Sequence, residues 1–290
     1  MGDAKRLIVK PISASDASKI VKALHYSGKV VQNSQLHLGV FLDGKCGGAM
    51  QFGPSLDKRK MLGLVTGTLW NEFIELNRMA FADWLPRNGE SRAIAYAFRW
   101  MRKQYPHIKW CVSFADGTQC GDGTIYRASG FVLTGIKENN QIWEAPTGEK
   151  FSRMSLTDGR SKQEQQSARA VVSRSSMTMK GKNRGGRICE KFAEASGAKE
   201  TGAASMKQFS GAGWKPLPGF QLRYIYFIDP TCKERLTVPI LPFSEIDRLG
   251  AGMYKGKPRV TSADSGTLGN PAEKGRCDSD RNAFEAEASQ

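Results

Sequence analysis

Two short stretches hold most of the side chains that could do chemistry together. The first is Glu75–Phe81, with Pro86–Arg92 after it; the second is Trp110–Asp116, with Gly123–Phe131 after it. Each reads as a strand, a glycine-bearing turn and a helix start. In the first, Gly89 and Ser91 open a helix. Its free N–H groups attract an anion such as a phosphate, and Arg87 and Arg92 supply positive charge; the plainer reading is an ordinary capped helix start. In the second, Asp116 ends an apolar strand and precedes Gly117. It is either a turn-forming Asp or a carboxylate at a cleft mouth, acting as base or metal ligand. Tyr126 lies one helix further on, as a packed aromatic or as a hydroxyl that donates a proton. Arg78 sits near the end of the first strand, where a switch-point crevice would open. Glu75 interrupts the same apolar strand, which places it at a sheet edge or in a site. A third group, His25, Tyr26 and Ser27, leads into a loop, where chemistry is commonly carried.

The elements that must position these groups follow from the hydrophobic pattern. Arg6–Pro11 reads as a first strand. Ser13–His25 reads as a helix with an apolar stripe at Ala17, Ile20, Val21 and Leu24, capped by Ser13 or Ser15. Leu36–Leu42 and Cys46–Phe52 are strands joined by Asp43-Gly44, a strong hairpin signal. The run from Leu62 to Leu69 is ambiguous. Ser91–Gln104 is a helix with Ile94, Tyr96, Ala97, Phe98 and Met101 inward. Ile108–Phe114 is a buried strand, and Thr124–Ser129 a helix ended by Gly130. Phe131–Lys137 and Gln141–Ala145 are expected to form one hairpin, and Gln221–Asp229 with Arg235–Leu241 a second.

The chain has 290 residues, enough for a proper core, and 40% of them are hydrophobic. Its 43 basic and 28 acidic residues leave a net charge of +15. Such an excess favours a polyanionic partner and salt-dependent binding. Nine basic and two acidic residues fall between Arg160 and Lys191, in a Ser/Gly/Gln-rich stretch. That stretch reads as a solvated insertion or as an arm that orders on nucleic acid. Six cysteines show neither C-x-x-C pairing nor zinc spacing, as in a reduced, cytoplasmic chain. No apolar run reaches the roughly 18 residues of a membrane span, and the N-terminus lacks a secretory pattern. The expected division is a core over 1–150, a basic arm over 151–215, a hairpin over 216–254 and a disordered tail over 255–290.

Taken in order, His25–Ser27, Glu75–Phe81, Arg87–Arg92 and Ser113–Phe131 resemble the Mom family of phage DNA-modification proteins. The succession strand, Gly-x-Ser helix start, strand, Tyr-Arg-Ala-Ser-Gly-Phe resembles the acyl-CoA-binding half of the GNAT acetyltransferase fold. Where that fold usually carries Arg/Gln-x-x-Gly-x-Gly/Ala, this chain has Pro86 at the first position and Ser91 at the last. The resemblance covers about residues 8–150 well and 215–254 more loosely.

It implies an α/β fold with a mixed, mostly antiparallel sheet flanked by helices, and an added C-terminal hairpin. The implied activity converts N6 of adenine in double-stranded DNA to N6-(methylcarbamoyl)adenine, shielding phage DNA from restriction. The implied catalytic residues are Asp116, Tyr126 and Arg78, with Tyr126 protonating a leaving thiolate. Acetyl-CoA or a related acyl donor would lie on Arg78, Arg87, Gly89, Ser91 and Arg92. Iron is implied on His25, Tyr26 and Asp116, although sequence spacing alone shows no metal motif. Two other readings stand beside it: a GNAT N-acetyltransferase acting on a protein or small amine, and a non-enzymatic DNA-binding protein on a GNAT scaffold. Oligomeric state is not legible.

Overall fold

The computed structural model describes residues 3–153, 156, 206–254 and 257–258. The chain divides into two compact units: Met1–Lys137 with Phe220–Gln290, and Glu138–Gly219. The basic stretch Arg160–Lys191 and most of the expected tail lie outside the described residues.

In the first unit, in chain order, come β1 (Ile8–Pro11), α1 (Ala14–Leu24), β2 (Leu36–Leu42), β3 (Lys45–Gly53), α2 (Lys58–Leu62), β4 (Phe73–Phe81), α3 (Gly89–Gln104), β5 (Trp110–Asp116), α4 (Thr124–Ala128) and β6 (Val132–Glu138). The second unit holds β7 (Ile142–Glu144), β8 (Lys150–Ser152), α5 (Met206–Gly211) and β9 (Lys215–Pro216). β10 (Phe220–Phe227) and α6 (Ser244–Arg248) then return to the first. Seven strands make its sheet, in the order β1-β2-β3-β4-β5-β10-β6. β4 and β5 run parallel, whereas β1–β2, β2–β3, β3–β4 and β5–β10 pair antiparallel. The fold is therefore α/β, with a mixed, mostly antiparallel sheet.

The local signals explain most of these elements. Ser13 caps α1 by accepting from the Asp16 N–H at 3.0 Å. Asp43 and Gly44 both take positive φ, as the tight turn between β2 and β3 requires. α1 buries Ala17 and Val21 against Ala49 and Ala80, whose small side chains let the helix lie close on β3 and β4. α3 buries Ile94, Ala97, Phe98 and Met101 with Met50, Phe52, Ile74 and Leu76, which alternate with Ala49 and Gln51 and so face the other way. The two helices thus cover opposite faces of the sheet. Tyr96, expected inward, is only half-buried; it carries Arg99 over its ring at 4.4 Å.

Neither the hairpin expected over Phe131–Ala145 nor the added C-terminal hairpin expected over Gln221–Leu241 forms. β6 joins the large sheet beside β10, whereas β7 pairs with β8 and β9 in a small sheet of the second unit. That sheet shares a small core of Trp143, Leu156, Phe209 and Trp214. The second expected hairpin is replaced by insertion: β10 pairs along all of β5, from Gln221↔Asp116 to Phe227↔Trp110. Residues 230–235 form a 3-10 turn, and Leu236 and Leu241 make only isolated bridges to Val65 and Leu133. The cause is burial: Leu222, Tyr224 and Ile225 are fully buried, and a central place in a large sheet buries both faces of a strand.

Gly123 shows how tightly α4 is seated on β10. Its φ is +86°, and a Cβ there would lie 2.4 Å from the Tyr224 ring. Gly123→Ala is expected to cost about 2–4 kcal/mol, from left-handed strain plus the clash, read as a lowered urea midpoint with an unchanged m-value.

Candidate functional site

The site begins with a change of register in β4. Met79 pairs with Met50 and Arg78 with Gln51, but Phe52 pairs with Leu76, leaving Asn77 as an extra residue. This is a β-bulge. In a regular strand, residues 75 and 78 would face opposite sides. The extra residue puts Glu75, Arg78 and Ala80 opposite Gly53, Gln51 and Ala49, all on the face that α1 covers. Close packing holds the bulge: a Cβ on Gly53 would stand 2.7 Å from Asn33 O and 2.8 Å from Asn77 Oδ1. Ser34 also donates to Asn77 Oδ1 at 3.1 Å.

Next to the bulge the sheet opens. β4 and β5 pair from Phe73↔Trp110 to Glu75↔Val112 and no further, although both strands continue. Across the gap, the fully buried Ser113 donates its hydroxyl to Leu76 O at 3.2 Å. Ser113 also hydrogen-bonds the Tyr126 hydroxyl. Because Ser113 spends its own proton on Leu76, the Tyr126 O–H is the donor in that contact. The alternation of β5 sets Val112 and Asp116 on the face of Glu75, and Ser113 on the face of α3. Groups from both faces therefore meet where the strands part.

α1 delivers the third group. Its C-cap is His25, and Arg78 Nε reaches the same loop, donating to Lys29 O at 3.1 Å. The His25 and Tyr26 rings lie 4.2 Å apart. Burial, with the nearby Arg78 cation, lowers the His25 pKa from 6.5 to about 3, so the imidazole is neutral. Tyr26 keeps 37% of its surface exposed. Burial still raises its pKa, helped by the negative charge of Asp116 and opposed by Arg78. Burial pushes the Tyr126 hydroxyl, which is hydrogen-bonded with Ser113, up to about 12. Glu75 is raised by burial too, against hydrogen bonds from Ser55 and Asn77 and the Arg78 charge. These mutual influences gather His25, Tyr26, Arg78, Asp116 and Tyr126 into one neighbourhood.

The Mom protein family model matches residues 6–245. The chain belongs to the Mom family. The methylcarbamoylase Mom of Escherichia phage Mu is 42% identical over 137 residues, which are 47% of this chain and 56% of that protein. The match thus spans just over half the length of that relative. Among solved structures, a GNAT-family acetyltransferase from Streptococcus pneumoniae aligns with 46% of this chain and 88% of its own, at 15% identity and a TM-score of 0.32. The ribosomal-protein-S18-alanine N-acetyltransferase from Escherichia coli aligns with 50% and 88%, at 13% identity and a TM-score of 0.33.

The expected phosphate-binding group is brought together only in part. Gly89 and Ser91 do start α3, and the N-cap, Asn88, makes no side-chain bond to the helix N–H groups. Ser91 donates back to Asn88 O at 3.2 Å, and Arg87 is exposed beside it. Arg92, however, points along the helix: it donates to the Tyr96 hydroxyl at 3.2 Å and stands 5.3 Å from that ring. Arg78 belongs with His25 and Tyr26 instead.

His25, Tyr26 and Asp116, the expected iron ligands, are each engaged within the protein. His25 Nδ1 accepts the Ser27 N–H at 3.2 Å and contacts Ser27 Oγ at 2.8 Å, which assigns the ring proton to Nε2. Tyr26 holds its proton more tightly than a free phenol. Asp116 accepts from Thr118 N at 3.0 Å and from Gln119 Nε2 at 3.2 Å, so its turn-forming use is real. No group of three His, Cys, Asp or Glu residues among those described is placed to hold a metal ion.

Four contributors carried little sequence signal. Ser113 and Asn77 look like polar interruptions of apolar strands. Cys120, four residues after Asp116, adds negative charge near Tyr26 and Tyr126 when ionised. Asp122, buried and paired with Arg127 at 2.9 Å, anchors α4.

His25 yields a pH test. The unfolded chain takes up its proton near pH 6.5, the folded chain only near 3. Stability from the neutral ring is present above pH 6.5 and is lost as pH falls toward 3. Wild type should therefore lose its stability margin over His25→Gln between pH 7 and 4 in matched urea titrations. A margin that holds constant would refute a buried, neutral His25.

Proposed function

We propose that this chain modifies N6 of adenine in DNA, leaving a methylcarbamoyl group. The observation that carries this reading is the convergence of His25, Tyr26, Arg78, Asp116 and Tyr126 where β4 and β5 part, in a member of the Mom family. The phage Mu relative, named a methylcarbamoylase, supports it. The +15 charge supports a polyanionic substrate, with the 160–191 stretch as an arm on the phosphate backbone. N6 lies within a base-paired duplex, so the adenine must leave the stack to reach the gap.

The roles follow from the electrostatics. Glu75, with its pKa raised, is the group that accepts a proton from the N6 amine. Tyr126 stays protonated and faces the gap, ready to return a proton to a leaving group. Arg78 offsets negative charge that develops on the transferred carbonyl oxygen. Asp116 holds the turn after β5 and faces Tyr26. An acyl carrier would place its phosphates at the α3 start, on Gly89, Ser91 and Arg87. A methylcarbamoyl group contains a nitrogen that an acetyl group lacks, so the donor system must supply one. The proposed roles draw on no metal.

Nucleosides from plasmid DNA of expressing cells, analysed by mass spectrometry, test this directly. Wild type should yield a heavier deoxyadenosine, and Tyr126→Phe and Asp116→Ala should lower it at least about tenfold. Unmodified deoxyadenosine with soluble protein defeats the reading. Glu75 adds a pH prediction. Activity should rise with pH through a limb lying above 4.5, the ordinary value for Glu, and Glu75→Gln should abolish that limb along with most of the rate.

A further inference from the structure

We propose that the segment between β3 and β4, residues 54–72, is a ledge that grips duplex DNA beside the target adenine. The inference rests on the reading of DNA as substrate and names the surface that would engage it.

The segment is anchored in its middle and carries exposed apolar side chains toward both ends. Met61, Leu64 and Val65 are buried with Phe73, Trp110 and Val112. Trp110 Nε1 donates to Thr68 Oγ1 at 3.1 Å, and Arg235 Nη1 donates to Thr66 O at 2.8 Å. From this base Leu56, Leu69 and Trp70 project; Leu56 is 84% exposed and Trp70 54%. Three large apolar side chains are exposed along this one short segment, a concentration that favours a partner able to cover them. Lys58, Arg59 and Lys60 stand among them, with Lys58 Nζ 4.3 Å above the Trp70 ring. The nearby acids are engaged locally: Asp57 caps α2 and lies 3.4 Å from Lys60, and Glu72 accepts from Leu69 N at 2.9 Å.

Position joins the ledge to the site. Phe73, Trp110 and Val112, which carry it, face the same side of the sheet as Glu75, Arg78 and Asp116. Ser55, immediately before Leu56, hydrogen-bonds Glu75. α3, whose start would hold an acyl carrier, lies on the opposite face. An acceptor must then approach from the face of α1 and the ledge. Cations beside exposed apolar side chains match a polyanion with base faces to cover. The cations take phosphates, and Leu or Trp occupies space that an extruded base leaves.

The test uses the full chain with Leu56→Ser and the double variant Leu56→Ser/Trp70→Ala. Binding to a fluorescent 30-base-pair duplex is measured by anisotropy, plasmid adenine modification by mass spectrometry, and fold by thermal unfolding. Both variants should melt like wild type, bind duplex roughly fivefold to a hundredfold more weakly, and modify less adenine. Unchanged duplex binding and modification would overturn the ledge. So would loss of self-association with duplex binding intact, which would assign the patch to contact between copies of this chain. If wild type leaves adenine unmodified while both variants still lose duplex binding, the ledge stands and the adenine reading falls.

Discussion

The site depends on one interruption in the sheet. β4 and β5 are hydrogen-bonded as far as Glu75 and Val112 and then separate. A parallel pair that parts leaves backbone groups without ladder partners, and each must be satisfied in another way. The Ser113 hydroxyl does this for Leu76 O, and in doing so places an acceptor for the Tyr126 hydroxyl. At the same interruption, groups sorted by strand alternation onto opposite sides come close enough to influence one another.

The bulge at Asn77 is the companion constraint. It brings Glu75 and Arg78 to one face, where α1 delivers His25 and Tyr26. Crowding a carboxyl, an imidazole and two phenols into a half-dry space beside a guanidinium sets the protonation of those four groups. The imidazole gives up its charge beside Arg78, the phenols keep their protons, and the Glu75 carboxyl rises toward the range where a base is useful. These are consequences of burial and neighbours, and none of the four groups would behave so in the extended chain.

Family membership and geometry contribute different things. Membership rests on a match over residues 6–245, whereas the similarity to the phage Mu protein covers only part of each chain. The geometry separates residues that the motif order groups together. Arg78 joins His25 and Tyr26 rather than the start of α3, and Arg92 turns to Tyr96. Asp116 accepts hydrogen bonds within its own turn, as a residue that positions its neighbours would.

By itself the sequence determined the local elements that rest on short-range physics. The Ser13 cap, the Asp43-Gly44 turn, the apolar stripe of α1 and the Gly130 stop are each read over a few residues and are each present. It also singled out β4 and β5 as the strands on which Glu75, Arg78 and Asp116 lie. Only the tertiary structure decided the partners. A strand's hydrophobic pattern says that it is buried but not beside which neighbour, so β10 entered the sheet where a hairpin was expected, and β6 and β7 went to different sheets. A bulge is likewise invisible in one strand, since it is a mismatch between two. Without it Glu75 and Arg78 would face opposite sides.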